Sequence, residues 1–115
     1  MKKQLTMVLT FLFITMFSFA QTKDSTTIEK IKVWGNCDMC KTKIEKAAKS
    51  AGAATADWNE ESKILNVTYS ASKSNNKKIQ LKVADAGYDT QDLRASDAAY
   101  NKLPGCCKYD RKPQL

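Results

Sequence analysis

From Ile28 to Trp34 the chain places Ile31 and Val33 on one side and Lys30 and Lys32 on the other. Successive strand side chains point to opposite faces, so this period of two predicts a half-buried strand. Gly35-Asn36 breaks it. From Asp38 the period lengthens: Cys40, Ile44, Ala47, Ala48 and Ala51 share one helical stripe, with Lys41, Glu45, Lys46 and Lys49 off it. Gly52 is placed to end that helix. Ala54 to Asn59 and Lys63 to Ser70 predict two strands about the polar turn Glu60-Glu61-Ser62, with Leu65, Val67 and Tyr69 alternating inward. After the polar break from Ser72 to Asn76, Ile79, Val83 and Ala86 recur at helical spacing and stop at Gly87, while Leu81 falls off their stripe. Tyr88 to Leu93 predicts a short last strand, and Ala95 to Leu103 a third, short helix.

The order strand, helix, strand, strand, helix, strand predicts an α+β chain with a ferredoxin-like βαββαβ sandwich. Two helices would cover a four-stranded antiparallel sheet, followed by a short C-terminal helical extension. The domain is expected over residues 28–93, a flexible polar lead over 21–27, and an extension over 94–115 that carries Cys106-Cys107 and a charged tail expected to fray.

Ahead of the domain, Met1-Lys2-Lys3 precedes an apolar run from Leu5 to Phe17 that closes on Ser18-Phe19-Ala20. A basic start, a short apolar core and a small-residue site are the marks of a secretory signal over residues 1–20. The run is shorter than the roughly 20 residues that cross a bilayer, and no cysteine follows the cleavage point to take a lipid. An exported chain beginning at Gln21, periplasmic or secreted and without membrane insertion, is therefore expected; an uncleaved anchor is the less favoured alternative. The first twenty residues hold two lysines and no acid, so their removal lowers the net charge from +7 to +5. The remaining lysines are interleaved with acids, which speaks for solvated faces and against nucleic-acid binding.

Four cysteines in an exported chain would ordinarily suggest two disulfides. Here they form two close pairs, Cys37/Cys40 and Cys106/Cys107, and a bond across so few residues closes little chain entropy and stabilises little. Soft ions prefer sulfur, and two thiolates hold Cu(I) or Hg(II) nearly linearly. In Cys37-Asp38-Met39-Cys40 the first thiol lies in a loop and the second opens a helix. The partial positive charge of a helix N-terminus favours a thiolate, an effect expected at Cys40 in particular. The chain has no histidine, which excludes cysteine-histidine catalysis and mixed cysteine-histidine zinc sites; an all-cysteine Zn(II) site stays open if the two pairs converge. Nucleophile elbows, phosphate loops and paired carboxylates are missing from the sequence, so no enzyme is expected.

On the strand Ile31-Lys32-Val33, the Cys37-x-x-Cys40 pair, the helix with Ile44 and the run Ala86-Gly87-Tyr88, residues 28–93 resemble a heavy-metal-associated domain, as in periplasmic mercury-binding proteins and copper chaperones. The resemblance implies the ferredoxin-like fold, soft-metal binding by Cys37 and Cys40, and transfer by thiolate exchange to a metal-transporting membrane protein or another metal-binding protein. It also implies that the Tyr88 ring lies near the metal loop. The family reads Gly-Met-x-Cys-x-x-Cys, whereas this chain has Trp34 and Gly35 at the first two positions. The family's methionine plugs the core beneath the loop, so Trp34 is expected to take that place. Trp58 and Tyr69 are expected in the core or on the sheet face.

Cu(I) is the favoured ion, with Hg(II) and Zn(II) as alternatives. Cys106 and Cys107 are candidate additional ligands, either by folding back onto the first pair or as a second site; an incidental, redox-labile pair is the competing reading. Met39 offers a thioether from a position that generally points outward. A competing function is thiol-disulfide exchange through Cys37-x-x-Cys40. Against it, no strand and helix precede the motif, no later proline is placed to face a disulfide, and a hairpin follows the first helix too early. Lys41 and Lys43, beside the loop, are candidates for docking an acidic partner.

Overall fold

A computed structural model describes residues 25–114 of the chain; the expected signal segment, 1–20, lies outside the described residues. Strand β1 runs Thr26–Lys32, helix α1 Asp38–Ser50, β2 Thr55–Trp58, β3 Ile64–Ser70, α2 Asn76–Asp85 and α3 Asp97–Asn101, before a single 3-10 turn at Gly105–Cys107. The described strands form one antiparallel sheet in the order β1-β3-β2. Its register sets Ile31 opposite Leu65, Glu29 opposite Val67 and Trp58 opposite Leu65 from the other side. That parity turns Ile31, Leu65, Val67, Tyr69 and Trp58 toward the helices and leaves Lys30 and Lys32 exposed, as the alternation predicts.

Helix α1 buries Cys40, Ile44 and Ala48, and α2 buries Ile79 and Val83, so the two helical stripes meet the inner sheet face in one core closed by Tyr88. Leu81, off the α2 stripe, is exposed. The Asn75 side chain accepts from the Lys78 N–H at 2.8 Å and so caps α2, and the Ser96 hydroxyl caps α3 in the same way from the Ala99 N–H at 3.1 Å. Gly87 ends α2 at φ +109°, where a side chain would be strained. No described helix is long and apolar enough to cross a membrane.

The expected fourth strand over Tyr88 to Leu93 is reduced to one antiparallel bridge, Val33 to Thr90. Its position beside β1 is kept: Trp34 N–H donates to the Asp89 carbonyl at 2.9 Å and Gln91 N–H to the Lys32 carbonyl at 2.9 Å. Two features stop the ladder there. Thr90 closes a turn, its N–H donating to the Leu93 carbonyl at 2.7 Å, and buried Gln80 accepts from both the Thr90 hydroxyl, at 2.6 Å, and the Asp92 N–H, at 3.0 Å. The C-terminal segment also claims this edge, with Lys112 Nζ donating to the carbonyls of Thr90 and Gln91 at 3.0 and 2.9 Å.

The tail, expected to fray, is instead tied down. The Asp89 carboxylate, wholly buried, accepts from Arg111 Nη2 at 2.8 Å, from Arg111 Nε at 3.2 Å and from the N–H groups of Ala95 and Lys112. Tyr109 buries its ring against Tyr88 at a 5.7 Å centroid separation, and its hydroxyl donates to the Gly87 carbonyl at 2.7 Å while accepting from the Asp89 N–H at 2.8 Å. Leu103 packs on Gly87. These ties carry the 3-10 turn to the loop between β1 and α1, where the Asn36 side-chain amide donates to the Cys106 carbonyl at 3.2 Å.

Candidate metal site

The strand-to-helix turn at residues 33–40 builds the site. Trp34, expected to plug the core beneath the loop, lies only partly buried with Lys32 and Lys112 over its ring. The plug is Trp58: its indole is 1 % exposed, its Nε1–H donates to the Val33 carbonyl at 3.0 Å, and its ring lies directly under Gly35. A side chain at residue 35 would collide with that ring, so glycine at this position and tryptophan at 58 are one device. Lys63 Nζ, donating to the Gly35 carbonyl at 2.8 Å, pins the loop from the outside.

Cys37 is the N-cap of α1 and Cys40 sits on its buried first turn. All four cysteines are free thiols, and the Sγ atoms of Cys37 and Cys40 are 4.0 Å apart, far beyond a disulfide bond. The N–H groups of Cys40 and Met39, unpaired at the start of the helix, face the Cys37 sulfur and pull its pKa below the ordinary thiol value. The orphan N–H groups of the helix start thus converge on the side chain of the cap residue Cys37 and favour its ionised form.

The C-terminal pair divides. Cys107 is wholly buried, and its Sγ and those of Cys37 and Cys40 all lie within 4.8 Å of one another. Cys106 is exposed and stands outside that group, with its Sγ 3.7 Å from Met39 Sδ at the surface. Its carbonyl oxygen lies 3.4 Å from the Cys37 sulfur. Burial first, and then the adjoining Cys40 sulfur, push the Cys107 thiol up to about 12.

Tyr88 comes to this cluster, as its place in the sequence implied. Burial, with the Cys40 sulfur next, raises its pKa, which keeps the phenol protonated. Its buried hydroxyl has no hydrogen-bond partner among the described residues, although it faces the sulfurs of Cys40 and Cys107. A donor hydroxyl left unsatisfied beside buried sulfurs fits a site whose sulfurs become acceptors when they ionise. Lys41, a docking candidate by sequence, is engaged within the chain: its Nζ contacts Glu45 at 2.6 Å, Asp57 at 2.5 Å and the Trp58 carbonyl at 3.0 Å.

The donor set is sulfur alone, with no histidine anywhere in the chain and, among the described residues, no carboxylate grouped with the thiols, so the cluster suits a soft ion. Neither a scan against protein-family models nor a search of curated proteins finds a match. Solved structures do. The CopZ metallochaperone is 32 % identical, with a TM-score of 0.53 over 56 % of this chain and 98 % of its own. Oxidized MerP from Ralstonia metallidurans CH34 is 28 % identical, with a TM-score of 0.55 over 58 % of this chain and 96 % of its own. The mercury-bound form of MerP, described as the periplasmic protein of the bacterial mercury detoxification system, is 26 % identical, with a TM-score of 0.51 over 57 % and 94 %.

Proposed function

The chain belongs to the heavy-metal-associated domain family, and on that footing we propose that it is an exported carrier of soft metal ions, Cu(I) foremost, which it takes up through Cys37 and Cys40 and hands to another metal-handling protein. The observation that carries the reading is the pair of free sulfurs 4.0 Å apart at the N-terminus of α1, one of them a favoured thiolate. In the sulfur-only donor set, Cu(I) and Hg(II) are the better matches and Zn(II) the weaker, since neither pair alone supplies the four ligands of a closed zinc site. The similarity to CopZ and MerP supports both the cargo class and the handover.

Uptake is ligand exchange. The ion leaves its carrier ligands for the Cys37 thiolate, and Cys40 loses its proton to solvent as its sulfur bonds. Release reverses this when a partner's thiolates replace the two sulfurs one at a time; no electron moves, and the chain is a carrier rather than a catalyst. Export rests on the basic, apolar and small-residue sequence of residues 1–20.

The test is an anaerobic titration of the reduced protein with Cu(I) against a competing chelator of graded strength. Stoichiometric uptake by the wild-type chain, lost in Cys37→Ser and in Cys40→Ser, is the expected result. Failure of the wild-type chain to compete, or uptake unaffected by either substitution, overturns the proposal.

A further inference from the structure

We propose that Cys107, delivered by the C-terminal extension, is a third ligand, so that the ion is held by three sulfurs under a cover made of the chain's own tail. The inference rests on the carrier reading and goes beyond it: two-cysteine binding needs nothing after residue 93, whereas this arrangement makes the extension part of the site.

Distances carry the first step. With metal–sulfur bonds of about 2.3 Å, three sulfurs in a plane around one ion stand about 4.0 Å from each other. Cys37 and Cys40 already have that separation, and Cys107 lies within 4.8 Å of both. A strictly two-coordinate ion would hold its sulfurs about 4.6 Å apart on opposite sides, so the present spacing of Cys37 and Cys40 is closer to a three-coordinate than to a linear geometry.

Placement carries the second. A cysteine on a mobile tail would reach the loop only at an entropic cost, but Cys107 is held in advance. Downstream, Tyr109 is bonded to Gly87 and Asp89, and Arg111 to Asp89; upstream, Leu103 is seated against Gly87. Between them, the Cys106 carbonyl accepts from Asn36 and lies against the Cys37 sulfur, so the 3-10 turn covers the loop from outside. Within this cover the Tyr88 hydroxyl supplies a donor for the sulfurs when ionised. Cys106 differs from its neighbour: its exposed sulfur lies beside Met39 and 4.0 Å from the Cys107 sulfur, outside the group of three.

Binding by three sulfurs releases a proton from Cys107 as well, and the ion exchanges more slowly, because a partner must displace a buried ligand in addition to the pair.

The experiment is X-ray absorption on the full-length reduced chain loaded with one equivalent of Cu(I), together with the chelator titration on Cys107→Ser and Cys106→Ser. The wild-type spectrum is expected to show three sulfurs on copper. Cys107→Ser should show two and bind at least tenfold more weakly, while Cys106→Ser keeps three sulfurs and binds within twofold of wild type. Two sulfurs in the wild-type chain overturn the third ligand while leaving the carrier function intact, and this reading requires no variant to fold. Four sulfurs overturn it as stated, by placing Cys106 on the ion. Absence of copper uptake altogether overturns the carrier function first.

Discussion

A Cβ built on Gly35 would lie 2.9 Å from Cζ2 of Trp58 and 3.1 Å from Cδ1 of Ile44. Real Cβ atoms do not approach ring carbons so closely, so either the loop or the indole must move if residue 35 acquires a side chain. Gly35→Val should therefore destabilise the fold by about 1–3 kcal/mol, the usual cost of overpacking a filled core, and should also weaken metal uptake because the same loop carries Cys37. Urea denaturation and the chelator titration measure the two effects. A variant of wild-type stability and affinity would contradict the packing described.

Trp58 stabilises through volume and through one hydrogen bond, and two substitutions separate them. Trp58→Ala opens a cavity and should cost about 3–5 kcal/mol. Trp58→Phe keeps much of the bulk but leaves the Val33 carbonyl without its 3.0 Å donor, a loss of about 1–3 kcal/mol. A Trp58→Phe variant as stable as wild type in equilibrium unfolding would mean that the indole N–H contributes nothing, and equal costs for the two variants would mean that the ring volume contributes nothing.

The tail should detach in acid. Burial of Asp89 opposes its charge, but Arg111 and the N–H groups of Ala95 and Lys112 outweigh it and hold the carboxyl below its ordinary value of 3.8. A carboxyl with a depressed folded pKa stabilises fully above its unfolded value and loses that contribution as pH falls through the folded one. The extension should thus stay docked at neutral pH and down to about pH 4, then release as the pH drops further. Tyrosine near-ultraviolet circular dichroism reports it through the Tyr88–Tyr109 stack. Asp89→Asn should show weakened tail docking at neutral pH and a flatter acid response; a transition unchanged in that variant would assign it to other groups.

Lys41 and Lys43 should behave differently despite their proximity. Reversing Lys41 to Glu sets a third acid against Glu45 and Asp57 and should lower the Tm by several degrees. Lys43 makes no side-chain bond within the described residues, and Lys43→Glu should leave the Tm unchanged while slowing handover to an acidic partner. Equal melting temperatures for the two variants would show that the Lys41 contacts carry no stability.

Much of the domain was legible because periodicity reports burial. Ile31 and Val33 alternate against lysines, and Cys40, Ile44 and Ala48 repeat at helical spacing, so these elements declared their inner faces. The Cys37-x-x-Cys40 pair was equally plain, since it falls where the helical stripe of Cys40, Ile44 and Ala48 begins. What escaped were relations between distant residues. Trp34 sits where the loop begins and drew the role of plug, yet the space beneath the loop is filled from β2 by Trp58, and no local pattern marks that choice. The fourth strand was expected over Tyr88 to Leu93, but Gln80 and Lys112 take up the polar groups around Thr90 and curtail its pairing. Arg111 looked like solvated tail charge; only buried Asp89, some twenty residues earlier, explains its position. Cys106 and Cys107 were indistinguishable in sequence because the turn that buries one and exposes the other is set by Tyr109 and Asn36.

The central claim is that an ion enters between the loop and the start of α1. Amide chemical shifts of the reduced, isotope-labelled protein, followed while one equivalent of Cu(I) is added without oxygen, address it directly. The account predicts changes confined to residues 35–41, Tyr88 and residues 105–108, complete at one ion per chain. Saturation with these amides unmoved and the changes clustered elsewhere would contradict it.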